Sequence, residues 1–238
     1  MTLPPVGRRS EWAQLIEVVD LGSPAVVVVA GGVGSGRSHL VRRFGAECEG
    51  RGFRVVGTDE VFDIERSSTL ADIRRMLAAA LGIDTVSTAA AAPDGIVRKA
   101  VTDLVRFMSD ESAIYRALRD AAPLLFVIDG YDPTPAVSRW LTTFLIPRIR
   151  RGDEQVILVI TGVPDTVAGL RSQADLSLPL GPLNRDEVAQ HLNSLGQTLS
   201  PPLSAEEIDG YCNAAVADAS VLKWLRIVFT ATAGVGGA

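Results

Sequence analysis

Lysine is almost missing from these 238 residues: Lys99 and Lys223 stand against twenty-one arginines. With the abundance of alanine, that skew points to a GC-rich, bacterial genome. Cysteine and histidine are as scarce. Cys48 and Cys212 lie far apart, and His39 and His191 complete no zinc-ligating spacing. Two unpaired thiols fit a reducing cytosol. Residues 1–10 lack the apolar stretch of a signal peptide. The longest apolar run, Ala25 to Ala30, is far too short to span a bilayer. The expectation is a cytoplasmic protein without membrane contact. Positive charge is not in excess either, since 23 basic and 28 acidic residues leave a net charge of −5. That balance argues against a nucleic-acid partner, whose phosphates call for a basic face. Arg148, Arg150 and Arg151 form the one local basic patch and read as a solvated loop after a helix.

What is present is ample apolar material for a core, 47% of residues. The length suits one large α/β domain with a small appendage. Trp12, Leu15, Ile16 and Val19 recur at helical spacing over residues 8–21. Ala25-Val-Val-Val-Val29 has no polar alternation, the mark of a strand buried on both faces of a parallel sheet. A glycine-rich turn comes next, then a helix from about Arg37 to Glu49. Residues 53–57 read as a second strand and 68–81 as an amphipathic helix stopped by Gly82. Residues 84–93 read as a loop, and two helices are expected within 95–121. Leu124–Asp129 and Val156–Thr161 are two more buried strands, separated by a helix over 135–147; Leu176–Leu180 is a short last strand. Strands alternating with helices specify an α/β fold, a parallel-sheet core with helices on both faces. Beyond Asn184 only helices are expected, over 184–195, 204–214 and 218–232. The predicted division is therefore a core over 1–182, a helical lid over 183–232 and a linker-like tail over 233–238.

The chemistry concentrates in Gly31-Gly32-Val33-Gly34-Ser35-Gly36-Arg37-Ser38, between a buried strand and a helix. This is a phosphate loop, G-x-x-x-x-G-K-[ST], with arginine in the lysine position. Its glycines let backbone N–H groups curl around phosphates, and the N-terminus of the helix that follows, with His39 in its first turn, adds partial positive charge. Ser38 is placed to offer a hydroxyl to Mg²⁺. Arg37 keeps the charge, but a planar, forked guanidinium is no simple substitute for an ammonium. About ninety residues on, Asp129 closes a run of apolar residues, the place of a carboxylate that holds Mg²⁺ directly or through water. Asp132 comes next in Asp-Gly-Tyr-Asp-Pro as the candidate to polarise an attacking water. The competing readings are a strand-end cap for Asp129 and simple turn chemistry for Asp132.

Together these residues resemble the STAND class of AAA+-related P-loop ATPases, and within it the NACHT-like branch. Val6-Gly7-Arg8-Arg9-Ser10-Glu11 is similar to that class's leading motif, which implies that Val6, Gly7 and Arg8 lie against the adenine. Asp129-Gly130-Tyr131-Asp132 resembles its Walker B segment, and Thr161-Gly162-Val163-Pro164 its sensor-1 strand end. Leu178–Leu183 with Arg185-Asp186-Glu187 after it resembles the approach to its lid. Departures fall at Arg37, at Pro133 where the class has an acidic residue, and at Val163 in place of an arginine. The lid's Gly-x-Pro is not visible, and Asp218-Ala219-Ser220 sits near its expected place. The resemblance implies ATP or ADP with Mg²⁺ as cofactors, and a regulatory switch with slow hydrolysis or none, an NTP hydrolase if active. A protein partner or linked effector domain would carry the output, and a nucleotide-dependent oligomer is a further expectation. The alternatives are a scaffold without turnover, a ring-forming ATPase with Arg171 as its finger, and, less favoured, a small-molecule kinase.

Overall fold

The computed structural model describes residues 5–57, 69–81, 111–197, 202–222 and 224–225. The loop expected over 84–93, most of the helices expected within 95–121, and the tail 233–238 lie outside them. Among the described residues, five strands form one all-parallel sheet: β1 (Ala25–Gly31), β2 (Arg54–Val56), β3 (Leu124–Ile128), β4 (Val156–Gly162) and β5 (Leu176–Leu180). Their order is β2-β3-β4-β1-β5. Every residue of β1, β3 and β4 is buried, as expected of central strands covered on both faces. β5 lies at an edge, where Pro179 is tolerated because a missing N–H breaks no inner ladder.

Alternation along β1 divides the core. Val26, Val28 and Ala30 point into one cluster with Leu124, Phe126, Leu158 and Trp140. Val27 and Val29 point into another with Trp12, Phe44, Leu125 and Val159. The second is covered by α1 (Arg9–Asp20) and α2 (Arg37–Gly50), the first by α3 (Leu70–Ala80) and α4 (Glu111–Asp120), among others. The sequence thus specifies an α/β sandwich by making its central strands apolar on both sides.

One expectation needs correcting. The helix expected over 135–147 does not stop there. α5 (Pro135–Trp140) passes into a π-helical turn at Leu141–Leu145 and continues as α6 (Ile146–Arg151). Arg148, Arg150 and Arg151 are therefore helical, not a loop. Pro147 reads locally as a stop, yet the wider π-turn ahead of it removes the need for its missing N–H. Burial of Ile146 and Ile149 holds the extension in place. Arg150 pairs with Asp175 at 3.0 Å, and Asp175 accepts from the Val26 N–H at 2.9 Å, where β5 begins.

After β5, α7 (Arg185–Gly196) and α8 (Ala205–Ala217), counted apart from the short turn Pro164–Val167, pack on each other. Leu183, Val188, Leu192, Cys212 and Ala215 are their shared apolar centre. Asn184 caps α7 by accepting from the Glu187 N–H, and Ser204 with Glu207 forms a capping box on α8.

Candidate nucleotide site

The turn leaving β1 builds the phosphate loop. Gly31 ends the strand, and a Cβ there would collide with the Ser35 hydroxyl. Gly34 and Gly36 adopt φ of +77° and +84°, the left-handed region in which other residues are strained. The loop folds back on itself through Ser35 N–H to the Gly32 carbonyl at 3.2 Å. Gly36 is also the N-cap of α2, and as a glycine it supplies no side-chain cap; no acidic residue stands in that helix's first turn. The N-terminal amides and partial positive charge of α2 are thus left for an anion, beside the loop's own amides.

Two side chains there carry buried polar atoms without a protein partner: Ser35 Oγ and Arg37 Nη1. Native interiors seldom leave such groups orphaned. Burial pushes the Arg37 guanidinium below its ordinary pKa, and the Asp129 carboxylate nearby works in the opposite direction. A half-buried cation with an unfilled donor, at the mouth of an uncapped helix, fits a polyphosphate. Ser38 is partly buried in the first turn of α2, while Val33 and His39 are exposed.

Asp129 comes directly after β3, half-buried. The hydroxyl of Thr161, fully buried in the neighbouring β4, donates to Asp129 Oδ1 and accepts from the Gly130 N–H at 3.1 Å. Gly130 turns the chain at φ +69°, and the Tyr131 N–H is pinned to the Thr161 carbonyl at 2.7 Å. Asp132 emerges from this turn half-buried. Among the described residues no three His, Cys, Asp or Glu side chains gather as a metal set. Mg²⁺ held by Ser38 and Asp129 would therefore need phosphate oxygens and water to complete its shell, as nucleotide-bound Mg²⁺ does.

The leading motif reaches the same place. Arg8 is 4% exposed. Its Nη2 donates to the Ser35 carbonyl at 2.9 Å and the Gly181 carbonyl at 2.6 Å; its Nη1 donates to Glu11 at 2.8 Å. Arg8 is thus a strut joining the phosphate loop to the end of β5. Gly7 abuts Leu183, and its carbonyl accepts from the Asn184 N–H at 3.3 Å. Val6 packs on the apolar cluster around Leu183. Sequence reasoning assigns these three to the adenine and misses the strut, because a contact across 173 positions leaves no local signal. Arg171 is exposed, on the turn Ala168–Gln173.

A sequence model of the AAA ATPase domain matches residues 4–160. The chain belongs to the AAA ATPase domain family. Solved structures agree in fold. DnaA from Aquifex aeolicus bound to AMPPCP superposes with a TM-score of 0.54 at 14% identity, over 95% of this chain and 62% of that one. A replication initiator DnaA bound to AMPPCP and single-stranded DNA gives 0.55 at 13%, over 96% and 62%. A chain of the E. coli MS115-1 HORMA:CdnC:Trip13 complex gives 0.50 at 13%, over 88% and 73%. The chain thus spans less than two thirds of the DnaA chains it resembles. No curated protein matches it in sequence. As an AAA+ P-loop ATPase domain, its Gly31–Ser38 segment falls within the matched region, as do Arg8, Asp129 and Asp132. The expectation against nucleic acid gains nothing from these neighbours, one of which is a DNA complex. Among the described residues no helix is long and apolar enough to cross a membrane.

Proposed function

We propose that this AAA+ domain is a cytoplasmic ATP/ADP-binding regulatory switch of the STAND, NACHT-like type. It binds nucleotide with Mg²⁺, hydrolyses it slowly or not at all, and acts through a partner or a linked domain. The observation that carries the reading is the orphaned, half-buried Nη1 of Arg37 at the uncapped start of α2, with Asp129 nearby. That arrangement suits ground-state capture of a polyphosphate. Transition-state charge demands more. A compact ammonium tracks the β- and γ-oxygens as charge develops, whereas a guanidinium fits best when fixed by two acceptors. Pro133 supplies no carboxylate and Val163 no cation. The core over 1–182 and the lid over 183–232 are the two parts that nucleotide would hold together, with Val6, Gly7 and Arg8 between them and the adenine.

The test is thermal unfolding with and without Mg-ATP or Mg-ADP. A hundredfold excess over Kd adds about 2.7 kcal/mol of stability. A melting temperature unmoved by saturating nucleotide sinks the reading and favours a scaffold without nucleotide.

A further inference from the structure

The end of α8 returns the chain to the phosphate loop. Asp218 comes just after that helix, and the Ala219 N–H donates to the Gly34 carbonyl at 3.0 Å. The Asp218 carboxylate abuts the same glycine. A Cβ placed on Gly34 would lie 2.8 Å from Oδ1, 3.2 Å from Cγ and 3.6 Å from Oδ2. Ala219 lies against Gly36 in the same way, 3.6 Å from a Cβ built there. Gly34 leaves room for the carboxylate, which a Cβ there would push aside. The Ser220 N–H donates to Asp218 Oδ1 at 2.8 Å. That bond orients the group and holds its pKa below the usual carboxylate range, so it is charged at neutral pH.

A phosphate loop turns its amides toward β- and γ-phosphates. Asp218 sets a negative charge on the rim of that loop. Repulsion grows with the charge of the guest, and a triphosphate carries about one more negative charge than a diphosphate. We propose that Asp218 is a specificity-determining residue that biases this site toward ADP over ATP while residues 218–220 rest on the loop. The proposal depends on the reading that residues 31–38 hold adenine nucleotide. Asp218 is exposed, so its charge acts through a water-like medium, and unit charges about 4–6 Å apart there yield a preference of roughly three- to sixfold. Coupling is reciprocal, so ATP loosens the Asp218–Gly34 contact by the factor with which that contact weakens ATP. The γ-phosphate is thereby reported to the C-terminal helices.

The experiment is equilibrium binding of Mg-ADP and of Mg²⁺ with a non-hydrolysable ATP analogue, to the whole chain and to Asp218→Asn. Asparagine keeps the shape and the acceptor for Ser220. The triphosphate-over-diphosphate Kd ratio is expected to fall at least about threefold in the variant, through tighter analogue binding. Raising ionic strength should narrow the difference between the wild-type and variant ratios, since salt screens Arg37 and the loop alike in both proteins and screens Asp218 only in wild type. Asp218→Ser, a second neutral variant, keeps the test open if the first misfolds. An unchanged ratio in a folded neutral variant, or a difference indifferent to salt, overturns the proposal and leaves the nucleotide site intact. Failure of wild type and variant to bind either nucleotide removes the nucleotide reading, and this proposal with it.

Discussion

The buried hydroxyl of Thr161 holds the carboxylate of Asp129 across the gap between β4 and β3, and the same oxygen accepts from the Gly130 N–H. One side chain thus orients the acid and satisfies the turn next to it. Thr161→Val is expected to lose about 1–3 kcal/mol, since it strands a backbone donor and a carboxylate together. Mg²⁺-dependent nucleotide affinity should fall as well. Thr161→Ser keeps the hydroxyl and should recover affinity. Chemical denaturation and nucleotide titration check both; wild-type behaviour in the valine variant would show that the bond is idle.

Asp129→Asn tests the acid itself. Asparagine can still accept from Thr161, so the fold is expected to survive while Mg²⁺-dependent binding weakens. If the variant unfolds and the folded fraction binds nucleotide normally, Asp129 is a strand-end cap and no metal ligand.

Arg8 is expected to matter at a distance. Arg8→Met removes the donors to Ser35 and Gly181 and leaves Glu11 without its partner. Losing charged hydrogen bonds of this kind should cost about 2–3 kcal/mol in stability. Nucleotide affinity should drop too, because the loop loses the anchor on Ser35. Arg8→Lys should rescue only part, since one ammonium cannot reproduce the fork. Full rescue by lysine would argue for a simple charge effect.

Arg37→Lys decides how much the arginine limits turnover. Single-turnover hydrolysis by wild type is expected to be very slow, and the lysine variant only modestly faster. One misplaced transition-state donor costs roughly 10²–10³ in rate, but Pro133 and Val163 remain after the repair. Brisk wild-type turnover, on the order of 1 s⁻¹ or more, would show arginine to be a competent substitute.

Burial pushes the Cys48 thiol up to about 12; Arg51 pulls it back somewhat, while Glu47 and Glu49 raise it further. Cys212 is shifted the same way by burial. Because the thiolate is the reactive form, neither cysteine should react with a thiol reagent in folded protein at mildly alkaline pH. Both should react once the chain is unfolded. Rapid native labelling of Cys48 would mean that its surroundings open.

Much of the fold was legible because its signals are local. The unbroken apolar runs at Ala25–Val29, Leu124–Ile128 and Val156–Ile160 carry the signature of strands covered on both faces, and the structure buries every one of those residues. The strand, glycine turn and helix around Gly31–Ser38 were legible for the same reason, being set by consecutive residues. The end of the helix expected over 135–147 was not legible. A proline normally stops a helix, and nothing nearby announces the π-turn that accommodates it.

The sequence by itself determined the α/β class, the glycine turn after β1 and the position of two carboxylates after β3, since periodicity and spacing operate over a few residues. Tertiary structure alone decided the strand order, with β1 between β4 and β5. It also decided that Thr161 would hold Asp129, that Arg8 would brace Ser35, and that Asp218 would rest on Gly34. These are contacts between residues far apart in the chain. They form because parallel strands set their C-terminal ends side by side at one end of the sheet, where polar side chains must find partners or remain orphaned.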